Sequence, residues 1–384
     1  MIIMMKNLTG IFVLAAACAH AGLTLSLVDE VYTNSSPQFL KAVDFSDSLN
    51  GWAAGFDPSM GLMMKTADGG STWELYRDFD AYTNVQMLSP TTGYALTRAG
   101  KIKKTTDNRT WVVQPGVPES QITKIQGLPT PGIVAMEFRT VDTGLVAIGY
   151  SLSSSTQVFH TENAGLTWTE SKVYWRSADS LIAYPSRFED FQFLDRNTVY
   201  AGGDVFLKSE DGGRTWIYSG FGGGYNESRI NFSDKSRGSW LAKGTLFRTE
   251  NGGAEWTASF SPGKKKIFDV AYLGRDTVLA LGDSGFFALS FNGGLNWDTA
   301  SYPYLRSTVA MHAASLDKIL FFGGAIVKGV WIVTPVSTKP RQARKRLSLR
   351  VTKRAAVLIH DSRSGAGYST DGKRSVPSPD ALKM

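Results

Sequence analysis

The sequence predicts an all-β fold, and three observations carry the prediction. Glycine accounts for 39 of 384 residues and aromatic residues for 12%, a mixture that suits many short strands joined by tight turns. Hydrophobic content is 42%, enough for a sizeable core and against a disordered chain. One eight-residue pattern recurs along the chain, and self-similarity at this scale marks a repeat architecture.

The pattern is Ser/Thr, any residue, Asp/Asn, any, Gly, any, any, Trp. It runs from Thr66 to Trp73, Thr161 to Trp168, Ser209 to Trp216, Thr249 to Trp256 and Ser290 to Trp297. A degenerate copy, Thr105 to Trp111, is one residue short and lacks the glycine. The six tryptophans lie 38, 57, 48, 40 and 41 residues apart. Each position has a mechanical reason. The side-chain oxygen of Asp68, Asp107, Asn163, Asp211, Asn251 or Asn292 can accept backbone N–H bonds within its own turn, and glycine permits the positive φ of a tight turn. The Ser/Thr hydroxyl adds a local bond, while Trp73, Trp111, Trp168, Trp216, Trp256 or Trp297 opens the next strand and packs beneath the turn.

A four-strand unit surrounds the first copy: Phe39 to Phe45, Gly51 to Gly55, Gly61 to Thr66 and Trp73 to Tyr76. Further units begin near Val85, Ile133, Phe188, Ile230 and Ile267. Their second strands share a small-residue pattern, as in Gly93-Tyr94-Ala95-Leu96, Gly144-Leu145-Val146-Ala147 and Thr277-Val278-Leu279-Ala280. A seventh unit from Thr308 to Val333 stops before any copy of the pattern and lacks a fourth strand. Leu23 to Val31, at the other end of the chain, has strand character and can supply it. A ring closed this way has no free sheet edge, which is the physical advantage of closure. The expected domain is therefore a single seven-bladed β-propeller over residues 22–335, its last blade closed by the N-terminal strand.

The repeated turn resembles the Asp-box, or bacterial neuraminidase repeat, of sialidases, sortilin-type receptors, xyloglucanases and photosystem II assembly factor-like proteins. The segments Gly51 to Gly55 with Thr66 to Trp73, and Ala201-Gly202-Gly203 with Ser209 to Trp216, are most similar to the photosystem II stability/assembly factor-like family, over residues 38–334. The resemblance implies a sialidase-superfamily fold in which the boxes lie at the periphery and are structural. It also implies an exported single propeller that binds a protein; photosynthetic members bind a reaction-centre subunit during assembly. The weak second box and a long basic tail depart from that group.

Charge is unevenly distributed. Residues 336–384 hold 12 Lys/Arg and 3 Asp/Glu, whereas residues 22–335 hold 28 and 31, so the globular part is mildly acidic and only the tail could seek polyanions. The tail reads as disordered. Its Arg341 to Arg346 cluster fits a protease site, a polyanion-binding arm or plain solvated charge. Residues 1–21 read as a signal peptide: Lys6, an apolar stretch from Ile11 to Ala19, and Ala19-His20-Ala21 before Gly22. Export is expected, to the periplasm, cell surface, a lumen or the medium. Cys18, the single cysteine, lies inside the leader in a degenerate lipoprotein-box context, so disulfides and thiol chemistry are not expected in the mature chain. The apolar stretch from Ile319 to Val333 is broken by glycines and Lys328 and reads as buried strands, with no transmembrane span after the leader.

Catalytic groups are not expected. A sialidase would need three arginines converging on a carboxylate, for which Arg139, Arg187 and Arg229 are candidates, together with an Asp acid and a Tyr–Glu pair. The Phe/Tyr-Arg-Ile-Pro element of those enzymes is absent; Phe39-Leu40-Lys41-Ala42 stands nearest. Xyloglucanases and sortilin-type receptors require a larger chain. His160, His312 and His360 show no metal-ligand spacing, and neither metal nor cofactor is expected. The loops from each fourth strand to the next unit, opposite the boxes, are rich in the residue types that dominate protein interfaces: Arg77, Tyr82, Trp175, Arg176, Tyr184, Arg187, Tyr225, Arg229, Lys264, Lys265, Tyr304 and Arg306. Asn34, Asn108, Asn226 and Asn231 form glycosylation sequons. The expectation is a monomeric, non-enzymatic propeller with a protein or peptide partner on that face; a glycan-binding or glycan-hydrolysing propeller is the alternative.

Overall fold

The computed structural model describes residues 23–33, 39–123, 131–149, 156–177, 180–183, 187–222, 228–242, 244–263, 265–301, 305, 308–316, 318–323 and 325–333. The expected leader and tail lie outside them. The described chain is an all-β propeller whose helix is limited to short 3₁₀ turns such as Glu119–Gln121 and Asp283–Gly285. Six sheets have four strands and one has six.

Sheet 1 is a meander of Phe39–Phe45, Gly51–Phe56, Gly61–Thr66 and Glu74–Asp78. Sheets 2 to 7 begin with Tyr82–Met87, Gly132–Phe138, Phe188–Phe193, Arg229–Phe232, Ile267–Leu273 and Thr308–Ser315. These first strands touch one another around the ring. The second strands are mostly apolar because a sheet lies against each of their faces. Gly144–Gly149 and Thr277–Gly282 are buried at every position. The core is accordingly shared between sheets: Leu145 and Ala147 of sheet 3 pack with Phe188 and Phe191 of sheet 4.

Sheet 7 is completed by the N-terminal strand. Leu23–Thr33 pairs antiparallel with Ala325–Val333, from Leu23 opposite Val333 to Thr33 opposite Ala325. Main-chain bonding between the two ends of the domain thus ties the ring. On the other side of the same seam, His312 of sheet 7 stacks on Phe45 of sheet 1 with ring centroids 4.2 Å apart. The Lys318 ammonium donates to the Ser48 carbonyl.

Burial, with a smaller contribution from nearby Lys318, pushes the His312 imidazole down to about 4. The unfolded chain takes up this proton below about pH 6.5 and the folded chain resists until about pH 4, so stability is full above 6.5 and lost as pH falls between these values. At pH 5 the loss is about 1–2 kcal/mol. His312→Phe keeps the stack on Phe45 and should shrink the fall in urea midpoint between pH 7 and pH 5. An identical fall in variant and wild type would exclude this role.

The repeated turns form the bonds their residues dictate. In the first, Thr66 Oγ1 accepts from Gly70 N at 2.8 Å and donates to Asp68 Oδ1 at 2.8 Å, which accepts from Thr72 N at 2.9 Å. The same three bonds recur from Thr161, Ser209, Thr249 and Ser290. The conserved-in-pattern glycine is required twice over. Gly213 has φ +89°, and a Cβ on it would lie 2.5 Å from Leu145 Cδ2 of the preceding sheet. In the shortened copy, Asp107 Oδ1 takes the amides of Arg109 and Thr110, and Asn108 adopts φ +58°.

Two features depart from the four-strand expectation. Lys172–Ser177 and Ser180–Ala183 form a hairpin added to sheet 4, with Lys172–Ser177 parallel to Thr215–Gly222. Trp175 and Arg176 therefore belong to a strand rather than to a connecting loop. The fourth strand of sheet 3 is correspondingly short, Thr169–Glu170, because the chain leaves early to join its neighbour.

Candidate functional site

The first strands line a channel of about 490 Å³. Six of the seven carry a register shift near their start: Leu40/Ala42, Tyr82/Asn84, Ile133/Ala135, Phe188/Asp190, Ile267/Asp269 and Thr308/Ala310. A bulge inserts an unpaired residue and re-aims its side chain. The skipped residues are Lys41, Thr83, Val134, Glu189, Phe268 and Val309, and every one lines the channel. The first two strands of sheet 5 pair without a bulge, and Arg229, the first residue of its first strand, also lines the channel. Because the repeated turns join third to fourth strands, the starts of the first strands lie at the opposite face. The bulges thus form a ring at that mouth.

Deeper in, polar side chains bridge the first strands of sheets 1 and 2, 2 and 3, 4 and 5, 5 and 6, and 6 and 7. Met87 N donates to Asp44 Oδ2 at 2.7 Å, Ile230 N to Asp190 Oδ2 at 3.0 Å, and Met311 N to Asp269 Oδ2 at 2.8 Å. Gln86 accepts from Phe138 N at 2.7 Å and donates to its carbonyl at 2.8 Å; Gln192 does the same with Phe232 at 2.7 and 3.1 Å. Asn231 Oδ1 accepts from Tyr272 N at 3.3 Å. Splayed inner strands cannot pair their facing edges, and these side chains satisfy the backbone groups left over. Burial raises the carboxyls, Asp44 to about 7 and Asp269 to about 6, against the opposing pull of their backbone donors. Glu137 is held well above the usual range by burial and then by the charges of Asp190 and Asp44. Asp190 is raised by burial, opposed by the Arg229 charge. Asp44, Asp190 and Asp269 are structural acceptors. The polar residue next to the strand end has a signal in the sequence, since it stands before the aromatic or methionine that closes the strand, as in Asp44-Phe45, Gln86-Met87, Glu137-Phe138, Gln192-Phe193 and Asn231-Phe232; Asp190 and Asp269 lie earlier in their strands and lack it.

The three arginines that would clamp a sialate carboxylate do not line one cavity. Arg229 lines the channel, while Arg139 lines a separate pocket on the turn face with Arg196 and Arg214. Arg187 Nε pairs with Glu189 at 2.9 Å. Among the described residues no group of three His, Cys, Asp or Glu could hold a metal ion, and no helix is long and apolar enough to cross a membrane.

The expected partner surface is only partly in view. Tyr184, Tyr225, Lys264, Tyr304 and Arg306 lie outside the described residues. Arg77 pairs with Asp57 at 2.6 Å. Lys265 Nζ donates to Ser301 Oγ at 2.6 Å and lies 5.3 Å from the centroid of the Phe286 ring. Tyr82 is a correction: it is 1% exposed, and its hydroxyl donates to Asp78 Oδ2 at 2.6 Å and accepts from Lys103 Nζ at 3.0 Å. It buttresses the 78–82 loop instead of presenting a surface. That loop displays a residue the sequence did not single out, Phe79, 92% exposed. Nothing in its neighbours distinguishes an exposed Phe from a buried one. Of the sequons, Asn34 and Asn226 lie outside the described residues. Asn108 Oδ1 accepts from the Trp52 indole and Asn231 is engaged in the channel.

Fold and site together define a β-propeller with a polar-lined central channel. No protein-family model and no curated protein matches the chain. Solved structures do match. YCF48 bound to a D1 peptide shares 17% identity over 80% of this chain and 97% of its own, with a TM-score of 0.55. YCF48 from Cyanidioschyzon merolae shares 19% over 80% and 98%, with a TM-score of 0.52. The WD40 propeller domain of Doa1 shares 10% over 80% and 96%, with a TM-score of 0.54. Identities this low establish the propeller fold alone.

Proposed function

We propose that the chain is an exported, non-enzymatic interaction propeller of seven blades, one per sheet, that binds a protein or peptide segment at the channel mouth opposite its Asp-box turns. The observation that carries this reading is the ring of bulge residues. With Arg229 from the unbulged strand, it places Lys41 and Glu189 on one lumen beside Thr83, Val134, Phe268 and Val309. Opposite charges interleaved with apolar and aromatic side chains suit the mixed chemistry of a peptide, and the volume accommodates side chains of an inserted segment. The same fold holds a peptide in the YCF48 structure bound to D1 peptide, which supports the reading by analogy.

A photo-crosslinking residue at Phe268, in the full-length chain and in one lacking 336–384, should capture a discrete protein from the extracytoplasmic fraction of the source cells. Arg229→Glu should reduce the yield severalfold. Capture only from a probe at Leu295, on the turn face, would reject the proposal, as would hydrolysis of a fluorogenic sialoside by the purified chain.

A further inference from the structure

The turn face carries a second concavity, about 280 Å³, between sheets 3 and 4. Three arginines line it from three chain segments: Arg139 from the first turn of sheet 3, Arg196 from the first turn of sheet 4, and Arg214 from the repeated turn of sheet 4. A single carboxylate, Glu162, lines the pocket, and it is paired with Arg214. Arg214 also donates to the Asp211 carbonyl at 2.6 Å. The Arg139 Nε is buried without a hydrogen-bond partner, and the side chain makes a long 3.5 Å hydrogen bond from Nη2 to Thr143 Oγ1. His160, also in the lining, is lowered by burial and by the Arg214 charge.

The repeat supplies an internal comparison. The equivalent groove between sheets 5 and 6 also holds three arginines, but each is matched. Arg237 pairs with Asp276 and lies 3.8 Å from Glu250, Arg248 pairs with Glu250 at 2.8 Å, and Arg275 approaches Asp234 at 3.7 Å. Aligning Arg196-Asn197-Thr198-Val199 with Arg275-Asp276-Thr277-Val278 puts Asn197 where the matched groove has Asp276. Aligning Phe138 to Gly144 with Phe232 to Gly238 puts Thr140 where it has Asp234. Two neutralising carboxylates are thus replaced by neutral polar residues. Arg196 keeps the place of Arg275, while Arg139 and Arg214 stand where the matched groove has Ser233 and Leu295, so the pocket has its own arginine set with fewer carboxylates to match it.

We propose that this pocket binds a tetrahedral dianion, phosphate or sulfate, either free or as a monoester. Guanidiniums arriving from separate segments can each take a different edge of a tetrahedral ion, and charge-assisted bonds of this kind are among the strong ones. The buried Arg139 Nε gains the acceptor it lacks. The site is on the face away from the channel mouth and stands independently of the partner proposed there.

Calorimetric titration of the full chain with sodium sulfate, sodium phosphate, phenyl phosphate and sodium acetate at constant ionic strength tests it. Saturable one-to-one binding of sulfate and phosphate is expected, with none of acetate. Arg196→Gln and Asn197→Asp should each weaken binding by about tenfold or more. Asn197→Asp restores a residue type already present in the matched groove, so it should fold normally. Arg275→Gln, in that groove, should leave the affinity unchanged. Phenyl phosphate binding more tightly than phosphate assigns the site to a monoester on an organic carrier; equal affinity assigns it to the free ion. Absence of saturable sulfate and phosphate binding, or equal affinity in wild type and Asn197→Asp, would overturn the proposal.

Discussion

Trp216→Ala is expected to cost about 3–5 kcal/mol, the range for a fully buried large aromatic. Trp216 has 0% exposure. Its ring lies 5.4 Å from Phe188 and 5.6 Å from Phe191, and its indole donates to the Gly213 carbonyl at 3.0 Å. The added strand Lys172–Ser177 covers it, with Val173 directly opposite in the register. Trp73, at the same place in a sheet without that strand, is half-buried although its indole makes the corresponding bond to Gly70 at 3.2 Å. Trp73→Ala should therefore cost about half as much. Urea unfolding of both variants measures the difference; equal losses would mean that the added strand contributes nothing to burial.

At pH 8, Asp44→Asn should stabilise the protein by about 2–4 kcal/mol. The Asp44 carboxyl is pushed up to about 7 by burial, against a value of 3.8 when free. Above about pH 4 the unfolded chain gains by ionising this group while the folded chain does not. Its contribution is therefore fully present below about pH 4 and lost as pH rises through 7. An asparagine oxygen can still accept from Met87 N, so the bridge to sheet 2 survives while the ionisation is removed. The advantage of the variant should vanish toward pH 4. A variant no more stable than wild type at pH 8 would show that the carboxylate is solvated by channel water rather than buried.

Much of the fold was legible because its instructions are local. The bonds from Thr66 and Asp68 reach residues no more than four positions away. The closing strand was legible from an arithmetic shortage, a last unit with three strands and a spare segment at the start of the chain. The site was less so. The bulge that turns Lys41, Thr83 and Glu189 into the channel has no residue signature of its own, since an extra residue in a strand looks like any other. Tyr82 has the composition of an interface residue yet supports a loop from within, because Lys103 and Asp78 meet its hydroxyl.

By itself the sequence determined the strand units and their turns, which follow from side chains bonding their own backbone or from alternation along a few residues, and the position of the closing strand, which follows from counting the units. Only the tertiary structure decided which arginines meet. Arg139, Arg187 and Arg229 were linked by the demands of a chemistry, yet Arg139 lines a different pocket from Arg229 and Arg187 is paired with Glu189. Arg139, Arg196 and Arg214, with no common signature, share a pocket because two sheets bring segments tens of residues apart to one groove. Whether a charge is matched depends on neighbours that the ring supplies, and the ring exists only after every sheet has packed.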